Sequence, residues 1–158
     1  MTLSSVLLLA YLVSNPVVAE WLERNHVELV ERNDLSPEAA AGAPANPGIV
    51  VGAFRARDQV NAALLRTNGD QVVFEIVACS DRGTCSVEVH QDVSRYSRIV
   101  FLEKVIKGVA IRTANTAETR RTVKLTMEAV KIHYFEKAAV VYFWNVNERK
   151  WDSIGVTD

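Results

Sequence analysis

The feature that most constrains the fold is a series of short runs of β-branched and aromatic residues in the second half of the chain. Such residues favour strands, because their side chains pack well on a pleated surface. Connections such as Lys107 with Gly108 are too short for a helical crossover, so we predict neighbouring antiparallel strands. The runs cover residues 72–78, 85–90, 99–106, 109–113, 123–134 and 140–146.

Three other segments carry weaker signals. Residues 55–66 would tolerate a helix, but Asn68 and Gly69 follow them as a two-residue hairpin turn, which favours a strand. Residues 118–137 fit both a helix and a strand, and both interpretations stay open. Residues 36–48 are rich in Pro, Ala and Gly and show no periodicity, which predicts an exposed loop.

The chain opens with an apolar segment. Residues 6–13 form an uninterrupted apolar run, and no charged residue comes before Glu20. A helix over residues 3–22, at roughly 1.5 Å per residue, would be about long enough to cross a bilayer. We expect this helix to be retained, because no Lys or Arg precedes the run as in a signal peptide. The alternative is a leader that is cleaved ahead of Glu20.

Asn15 and Pro16 predict the start of a helical turn within this segment. Asn can accept a bond from a free backbone N–H, and Pro has no N–H to leave unpaired. We therefore divide the 158 residues into an apolar N-terminal helix over residues 1–25, for anchoring or docking, and a single domain over residues 26–158. The predicted fold class is α+β, with the N-terminal apolar helix followed by a mainly antiparallel β-sheet domain.

The charge balance argues against general attraction to nucleic acid. The chain has 18 basic and 19 acidic residues and a formal net charge of -1, so it lacks a broad positive field. A local basic cluster is expected to be a solvated face, because the aromatic residues of the chain lie in apolar surroundings. The members of this cluster are Arg112, Arg120, Arg121 and Lys124. We predict no nucleic-acid partner.

Cys79 and Cys85 flank a short turn, and the register of that hairpin decides whether they can bond. If residues 80–83 form a type I turn with Gly83 left-handed, the two cysteines face one another and a disulfide can form. If Arg82 and Gly83 instead form a two-residue turn, the cysteines lie on opposite sides of the sheet. The open alternatives are therefore a disulfide, two small strand residues, or a redox or metal role.

The sequence carries no motif that we assign to catalysis, a metal or a cofactor. His26, His90 and His133 are far apart in the chain and lack the spacing of a zinc site. Nucleophile elbows, phosphate-binding glycine loops and dinucleotide fingerprints are absent from the sequence. We therefore expect a protein that is not an enzyme and needs no cofactor. Four carboxylates could still meet inside a concave sheet: Glu75, Glu88, Glu103 and Glu128.

Several aromatic residues lie in apolar surroundings near the C terminus, and one more lies in the N-terminal helix. Aromatic side chains supply much of the energy of protein interfaces, because they bury a large apolar area. We therefore predict that these residues form a core or a partner interface. The candidate interface residues are Trp21, Tyr142, Phe143, Trp144 and Trp151.

The first part of the chain resembles a known family. Residues 11–22 are similar to the helix before the family's first strand, and residues 73–78 and 85–89 look like two strands around the polar glycine turn at residues 81–83. Residues 99–111 would be its last strands. The family is the domain shared by the small cytochrome oxidase assembly factor and the intermembrane-space part of the presequence translocase's regulatory subunit. The resemblance implies a non-enzymatic domain that docks on respiratory or import machinery, and it transfers no functional residue.

These observations lead to one main hypothesis and one alternative. We expect a non-catalytic accessory or assembly subunit of a respiratory or import complex, attached by its N-terminal helix to a membrane such as the mitochondrial inner membrane, with protein subunits as partners. The alternative is a cone-shaped domain of the nuclear-transport-factor-like type, which binds a small apolar ligand or acts as a cyclase or isomerase. Cleavage of a leader would instead indicate a secreted or envelope protein.

Overall fold

Two antiparallel β-sheets that pack face to face form the centre of the protein. The computed structural model describes residues 15–113 and 122–156. Strands make up 49% of this part of the chain, and its longest helix has nine residues. The predicted α+β class with a long apolar N-terminal helix is therefore wrong. Strands also form outside the runs that the sequence predicted, and the N-terminal helix is only about two and a half turns long.

The first sheet contains β1 (Glu28–Leu29), β2 (Ile49–Gly52), β3 (Val60–Asn68), β4 (Gln71–Cys79) and β5 (Cys85–Asp92). The order is β1-β3-β4-β5, and β2 also pairs with β3. The predicted β3–β4 hairpin is confirmed, but its turn is centred one residue later than expected. Asn68 pairs with Gln71, and Gly69 takes the left-handed conformation at φ 60° that a tight hairpin turn requires.

The second sheet and a separate ribbon come from the rest of the chain. The ribbon contains β7 (Ala110–Arg112) and β8 (Thr122–Lys124), while the sheet contains β6 (Val100–Val105), β9 (Ala129–Tyr134), β10 (Ala138–Asn145) and β11 (Lys150–Val156). The sheet order is β11-β10-β9-β6. The ambiguous segment 118–137 thus forms strands where it is described, and residues 118–121 lie outside the described part.

Helix α1 (Pro16–Arg24) begins where the sequence predicted. The side-chain oxygen of Asn15 accepts hydrogen bonds from the backbone N–H groups of Val17 and Val18, at 3.0 and 3.2 Å. These bonds satisfy two of the donors that a helix leaves free at its first turn. The helix ends at Asn25, whose backbone and side-chain N–H groups bond to the carbonyl oxygen of Trp21.

The apolar side of α1 is covered by the protein itself. Val18 and Leu22 are fully buried in one cluster with Leu64 of β3 and Val77 of β4. Within the described residues, no helix combines the length and apolarity needed to span a bilayer. The predicted transmembrane helix, and membrane attachment through it, are therefore wrong. The part of that prediction that concerns residues 1–14 lies outside the described chain.

The segment predicted as an exposed loop, residues 36–48, contains a second, short helix, α2 (Pro37–Gly42). The Ser36 hydroxyl accepts a bond from the N–H of Ala39 and caps it. Ala39 and Ala43 are buried in the central core, so only part of the segment is exposed. The small alanine side chains let α2 pack closely against the core. The segment has no periodic apolar pattern from which this packing could be predicted.

Three apolar clusters hold the described layers together. The largest lies between the two sheets and includes Phe74 of β4, Leu102 of β6 and Ile132 of β9. The α1 cluster covers the outer face of the first sheet. The third includes Ile111 of the ribbon and Phe143 of β10, on the outer face of the second sheet. The layers therefore follow in the order helix, first sheet, second sheet, ribbon.

Within the described residues, five connections meet at one end of this sandwich, which we call the disulfide end. They are residues 53–59, 80–84, 106–109, 125–128 and 146–149. The registers place the end of β4 and the start of β5 at one end of the first sheet, and the end of β10 and the start of β11 at one end of the second. Hydrogen bonds between the sheets join these two ends to each other.

Candidate protein-interaction surface

The Cys79–Cys85 disulfide closes the β4–β5 hairpin, as one of the two predicted registers required. The two cysteines are paired directly across the strands. The Ser80 N–H donates to the Thr84 carbonyl at 2.9 Å, and Gly83, which is left-handed at φ 78°, donates to the Ser80 carbonyl at 3.0 Å. Of the three alternatives that the sequence left open, the structure therefore shows the disulfide, which is compatible with an oxidising environment.

A β-bulge beside this hairpin turns Glu88 towards the second sheet. The pairing of β4 with β5 passes from Ile76 opposite Val89 to Val77 opposite Val87, which leaves Glu88 as the extra residue. Its carboxylate forms an ion pair with Arg55 and accepts a hydrogen bond from the indole N–H of Trp151, at 2.8 Å. Glu88 thus makes a polar contact between β5 and β11.

The same contacts engage two of the tryptophans predicted as interface residues. The guanidinium of Arg55 lies over the ring of Trp144, 4.6 Å from its centroid, and Trp151 meets Trp144 edge to face at 5.7 Å. The fully buried Asn61 accepts a hydrogen bond from the Arg55 backbone N–H at 3.2 Å. Charge, cation–π contact and hydrogen bonding thus hold these rings within the domain.

The other predicted interface residues also contact the protein's own core. Tyr142 donates its hydroxyl hydrogen to Gln91 across the sheets and meets Phe74 at 5.0 Å between ring centroids. Burial raises the pKa of Tyr142. Phe143 is buried under the ribbon, and Trp21 packs at the border of the α1 cluster. The use of these aromatic residues as a partner interface stays a prediction.

The carboxylates that could have met in a concave sheet lie at separate places. Glu75 is buried on the outer side of the first sheet, where one oxygen contacts Arg66 at 3.1 Å and His90 at 3.0 Å. Glu103 lies on the second sheet and bonds to His133 at 2.6 Å. Glu128 accepts a hydrogen bond from the backbone N–H of Ala53, and Glu88 lies at the bulge of β5. The structure therefore does not bring them together.

The histidines show no shared site. His90 and His133 each contact a different carboxylate, and His26 follows the end of α1. Across the part of the chain that the structure describes, no three His, Cys, Asp or Glu side chains are arranged to hold a metal ion. The arrangement of His133 is instead local, since its ring stacks on Phe101 at 4.6 Å between centroids.

The predicted basic cluster is described only in part. Arg112 and Lys124 are exposed on the ribbon, where they flank the pairs formed by β7 and β8. Both lie on the side opposite to Ile111, which is buried, because side chains alternate along a strand. Arg120 and Arg121 lie outside the described residues. The two described cations are solvated, as expected.

Exposed aliphatic side chains concentrate at the disulfide end. Among the described residues, the large apolar side chains that are strongly exposed are Val87, Ile106, Val109 and Val146. Ile106 is 63%, Val109 38% and Val146 47% exposed, and all three lie in the turns that follow β6 and β10. Apolar side chains that gather at one end of a domain are typical of an interaction surface.

Unpaired cations surround these aliphatic side chains. We call residues 106–109, 122–128 and 143–149 the basic face. Its two carboxylates are neutralised, Glu128 by Lys104 at 3.4 Å and Glu148 by Lys150. In contrast, three cations of this face form no ion pair with any residue of ranges 15–113 and 122–156. These three are Lys107, Lys124 and Arg149.

Sequence reasoning missed Arg55 and the exposed aliphatic residues of the basic face. The members of this face that were candidates from the sequence are Lys124, Phe143 and Trp144. Arg55 lies in a connection without periodicity, and its ring contact depends on how two sheets pack. Ile106 and Val146 did carry a signal, because each is an apolar residue directly at a turn, where burial is difficult. Three comparisons with known proteins found no matching family model, no similar curated protein and no similar solved structure.

Proposed function

We propose that this chain is a non-catalytic accessory domain that binds a protein partner through its basic face. The observation that carries the proposal is the position of Ile106, Val109 and Val146, which are exposed in turns at one end of an otherwise well-packed sandwich. Turns at one end of a rigid β-sandwich commonly carry binding residues, since the sheets hold them in place while their sequences vary.

The packing of the aromatic residues supports this choice of surface. Trp144 and Trp151 contact Arg55 and Glu88 within the domain, so a partner would have to break these contacts to use their inner faces. The aliphatic residues of the basic face need no such rearrangement. Binding there would remove apolar area from water at about 25 cal/mol per Å² before the costs of association.

The disulfide supports an oxidising compartment for this function. Disulfides persist in secreted, envelope and intermembrane-type environments and are rare in the reducing cytosol. The Cys79–Cys85 bond closes the hairpin at the same end of the sandwich as the basic face. A location outside the cytosol is therefore part of the proposal, and the disulfide is the observation that supports it. A respiratory or import complex as the partner stays a prediction that rests on the family resemblance alone.

The proposal can be tested by site-specific photo-crosslinking in cells. A photoreactive amino acid replaces Ile106 or Val146 on the basic face, and matched replacements at Asp70 and Lys137 occupy exposed turns at the opposite end of the sandwich. We expect cross-links to one partner from positions 106 and 146 and none from the control positions. Equal cross-linking from all four positions would contradict the proposal.

A second measurement uses the partner identified by the cross-link, purified on its own. Isothermal titration calorimetry compares the natural chain with the double variant Ile106→Ser/Val146→Ser. We expect the variant to bind about tenfold more weakly or worse, because two apolar contacts are lost. Val87→Ser is the control, since Val87, at 49%, is about as exposed as Val146 at 47% but lies outside the basic face. If the double variant binds like the natural chain, the basic face is not the binding surface.

A further inference from the structure

A groove within the basic face is bordered by two strand edges that have no neighbouring strand within residues 15–113 and 122–156. It has a volume of about 300 Å³ and is lined by residues 122–128 on one side and 143–147 on the other. Consecutive residues of β8 line it, while β7 does not, so the groove follows the edge of β8 that faces away from β7.

The opposite wall of the groove contains the second strand edge, which belongs to the end of β10. Pairing of β9 with β10 stops at Val130 opposite Tyr142. Residues 143–145 continue to pair with β11, but on their other side they have no strand partner among the described residues. Backbone N–H and C=O groups along such an edge can pair with an added strand. The groove therefore presents backbone edges of three residues from each side.

The side chains of the groove combine an apolar floor with positive charge. Leu125 and Phe143 are buried beneath it, and Val146 stands exposed at its border. Lys124 forms no ion pair with a described residue, and Glu128, the one carboxylate among the described residues that line the groove, is neutralised by Lys104. The net charge facing a bound segment is therefore positive.

We infer that the groove binds an extended, acidic segment of the partner protein by strand addition. Backbone hydrogen bonds to β8 or to residues 143–145 hold the segment, and its alternate side chains contact the apolar floor and Lys124. An edge of three residues spans about 10 Å, so the groove takes three or four residues of the segment. This inference rests on the proposed function, because it specifies how the partner engages the basic face.

The test uses a designed peptide, acetylated and amidated, in which valine alternates with glutamate and aspartate over about seven residues. One control peptide has lysine in place of every acidic residue. The other keeps the acidic sequence but carries N-methyl groups on alternate amides, which removes the donors along one edge. Binding to the full chain is measured by fluorescence anisotropy, and the binding site by NMR shifts of the backbone amides.

We expect the acidic peptide to bind with a Kd below about 1 mM and to shift the amides of residues 122–124 and 143–145. Lys124→Glu should weaken binding about tenfold, since it replaces an attractive charge with a repulsive one. Lys137→Glu, the same change at the far end, should leave Kd unchanged. The N-methylated peptide should also bind about tenfold more weakly than the parent.

Three results would overturn the inference: no binding of the acidic peptide at about 1 mM, equal binding of the lysine peptide, or no effect of N-methylation. Failure of this inference and failure of the proposed function would give different combinations of peptide binding and cross-linking. A partner that docks as a folded surface would still cross-link at Ile106 and Val146 while the peptide fails. Conversely, peptide binding in the groove without any cross-link from those positions would contradict the proposed function instead.

Discussion

Glu88 of β5 accepts a hydrogen bond from the indole N–H of Trp151 of β11, with 2.8 Å between Oε2 and Nε1. The other carboxylate oxygen pairs with Arg55, which in turn lies over Trp144. The bulge in β5 makes this geometry possible, because it gives that strand one residue more than its neighbour. One carboxylate thus fixes two tryptophans and a loop between the sheets.

Glu88→Ala is expected to lower the free energy of unfolding by about 1–3 kcal/mol, since it leaves the Trp151 N–H without its acceptor and Arg55 without its counter-charge. Urea unfolding followed by tryptophan fluorescence measures the change. Glu148→Ala is the matched control, because its ion pair with Lys150 is exposed and should contribute about 0–1 kcal/mol. Equal effects of the two variants would contradict the role given to Glu88.

Removing the disulfide by the double substitution Cys79→Ser/Cys85→Ser should lower the free energy of unfolding by about 2 kcal/mol. The bond closes a short loop, so it restricts the unfolded chain only moderately. Urea unfolding with and without dithiothreitol provides the measurement. Reductant should destabilise the natural chain and leave the serine variant unchanged. A natural chain whose midpoint ignores the reductant would show that the bond does not stabilise the fold.

Gly52→Ala should destabilise the protein by about 1–3 kcal/mol, although both residues are small. A Cβ at this position would lie 2.5 Å from Oε2 of Glu128 and 2.6 Å from the buried ring of Phe54. Neither group can move without disturbing the contact between the sheets. Gly155→Ala is the control, because a Cβ there meets nothing within 4 Å. Thermal unfolding should show a lower Tm for Gly52→Ala only.

Glu75→Gln should lower the free energy of unfolding by about 1–3 kcal/mol, because the change leaves Arg66 beside a neutral amide at a buried position. Glu103→Gln serves for comparison. Its carboxylate bonds to His133 but is largely exposed, so the loss should be about 0–1 kcal/mol. Chemical denaturation of both variants tests the contrast. A larger effect at position 103 would refute the assigned importance of burial.

Stability should fall as the pH rises above about 10. Burial raises the pKa of Tyr134 from its ordinary value of about 10 to about 12. Between these two values the unfolded chain has lost the phenolic proton while the folded chain keeps it, so the free energy of unfolding falls by about 1.4 kcal/mol per pH unit. Below the lower value this contribution is fully present.

The measurement is denaturant unfolding between pH 8 and pH 11.5, values chosen to bracket the ordinary tyrosine pKa of about 10. The control is Tyr134→Phe, which cannot titrate at this position. We expect the natural chain to lose stability more steeply than the variant, because lysine titration affects both equally. Identical slopes would mean that Tyr134 does not control stability in this pH range.

Local signals in the sequence were sufficient for several elements. The runs at residues 72–78 and 85–90 correspond to β4 and β5, and the Asn15 cap correctly marked the start of α1. Propensity, capping and hairpin turns depend on neighbours a few residues away, so they can be recognised without knowing the fold. Strand β11 was not predicted, because it includes Gly155 and polar residues.

Contacts between distant segments could not be predicted in this way. The apolar segment over residues 3–22 indicated a membrane helix. Its residues 16–22 belong to α1, whose apolar side the first sheet covers, and only the packing of the two reveals this. The role of Glu88 depends on a bulge whose position follows from how β4 and β5 pair. The disulfide stayed open for the same reason, since a change of one register would have separated Cys79 from Cys85.

By itself, the sequence determined that strands form within residues 72–78, 85–90, 99–106 and 140–146, because strand propensity and turn chemistry are local properties. The tertiary structure decided which apolar surfaces remain open. It covered the apolar side of α1, buried Phe143 and partly buried the other aromatic candidates, and it left Ile106 and Val146 in water. Burial depends on which distant segments meet, and the candidate binding surface is what remains after those contacts have formed.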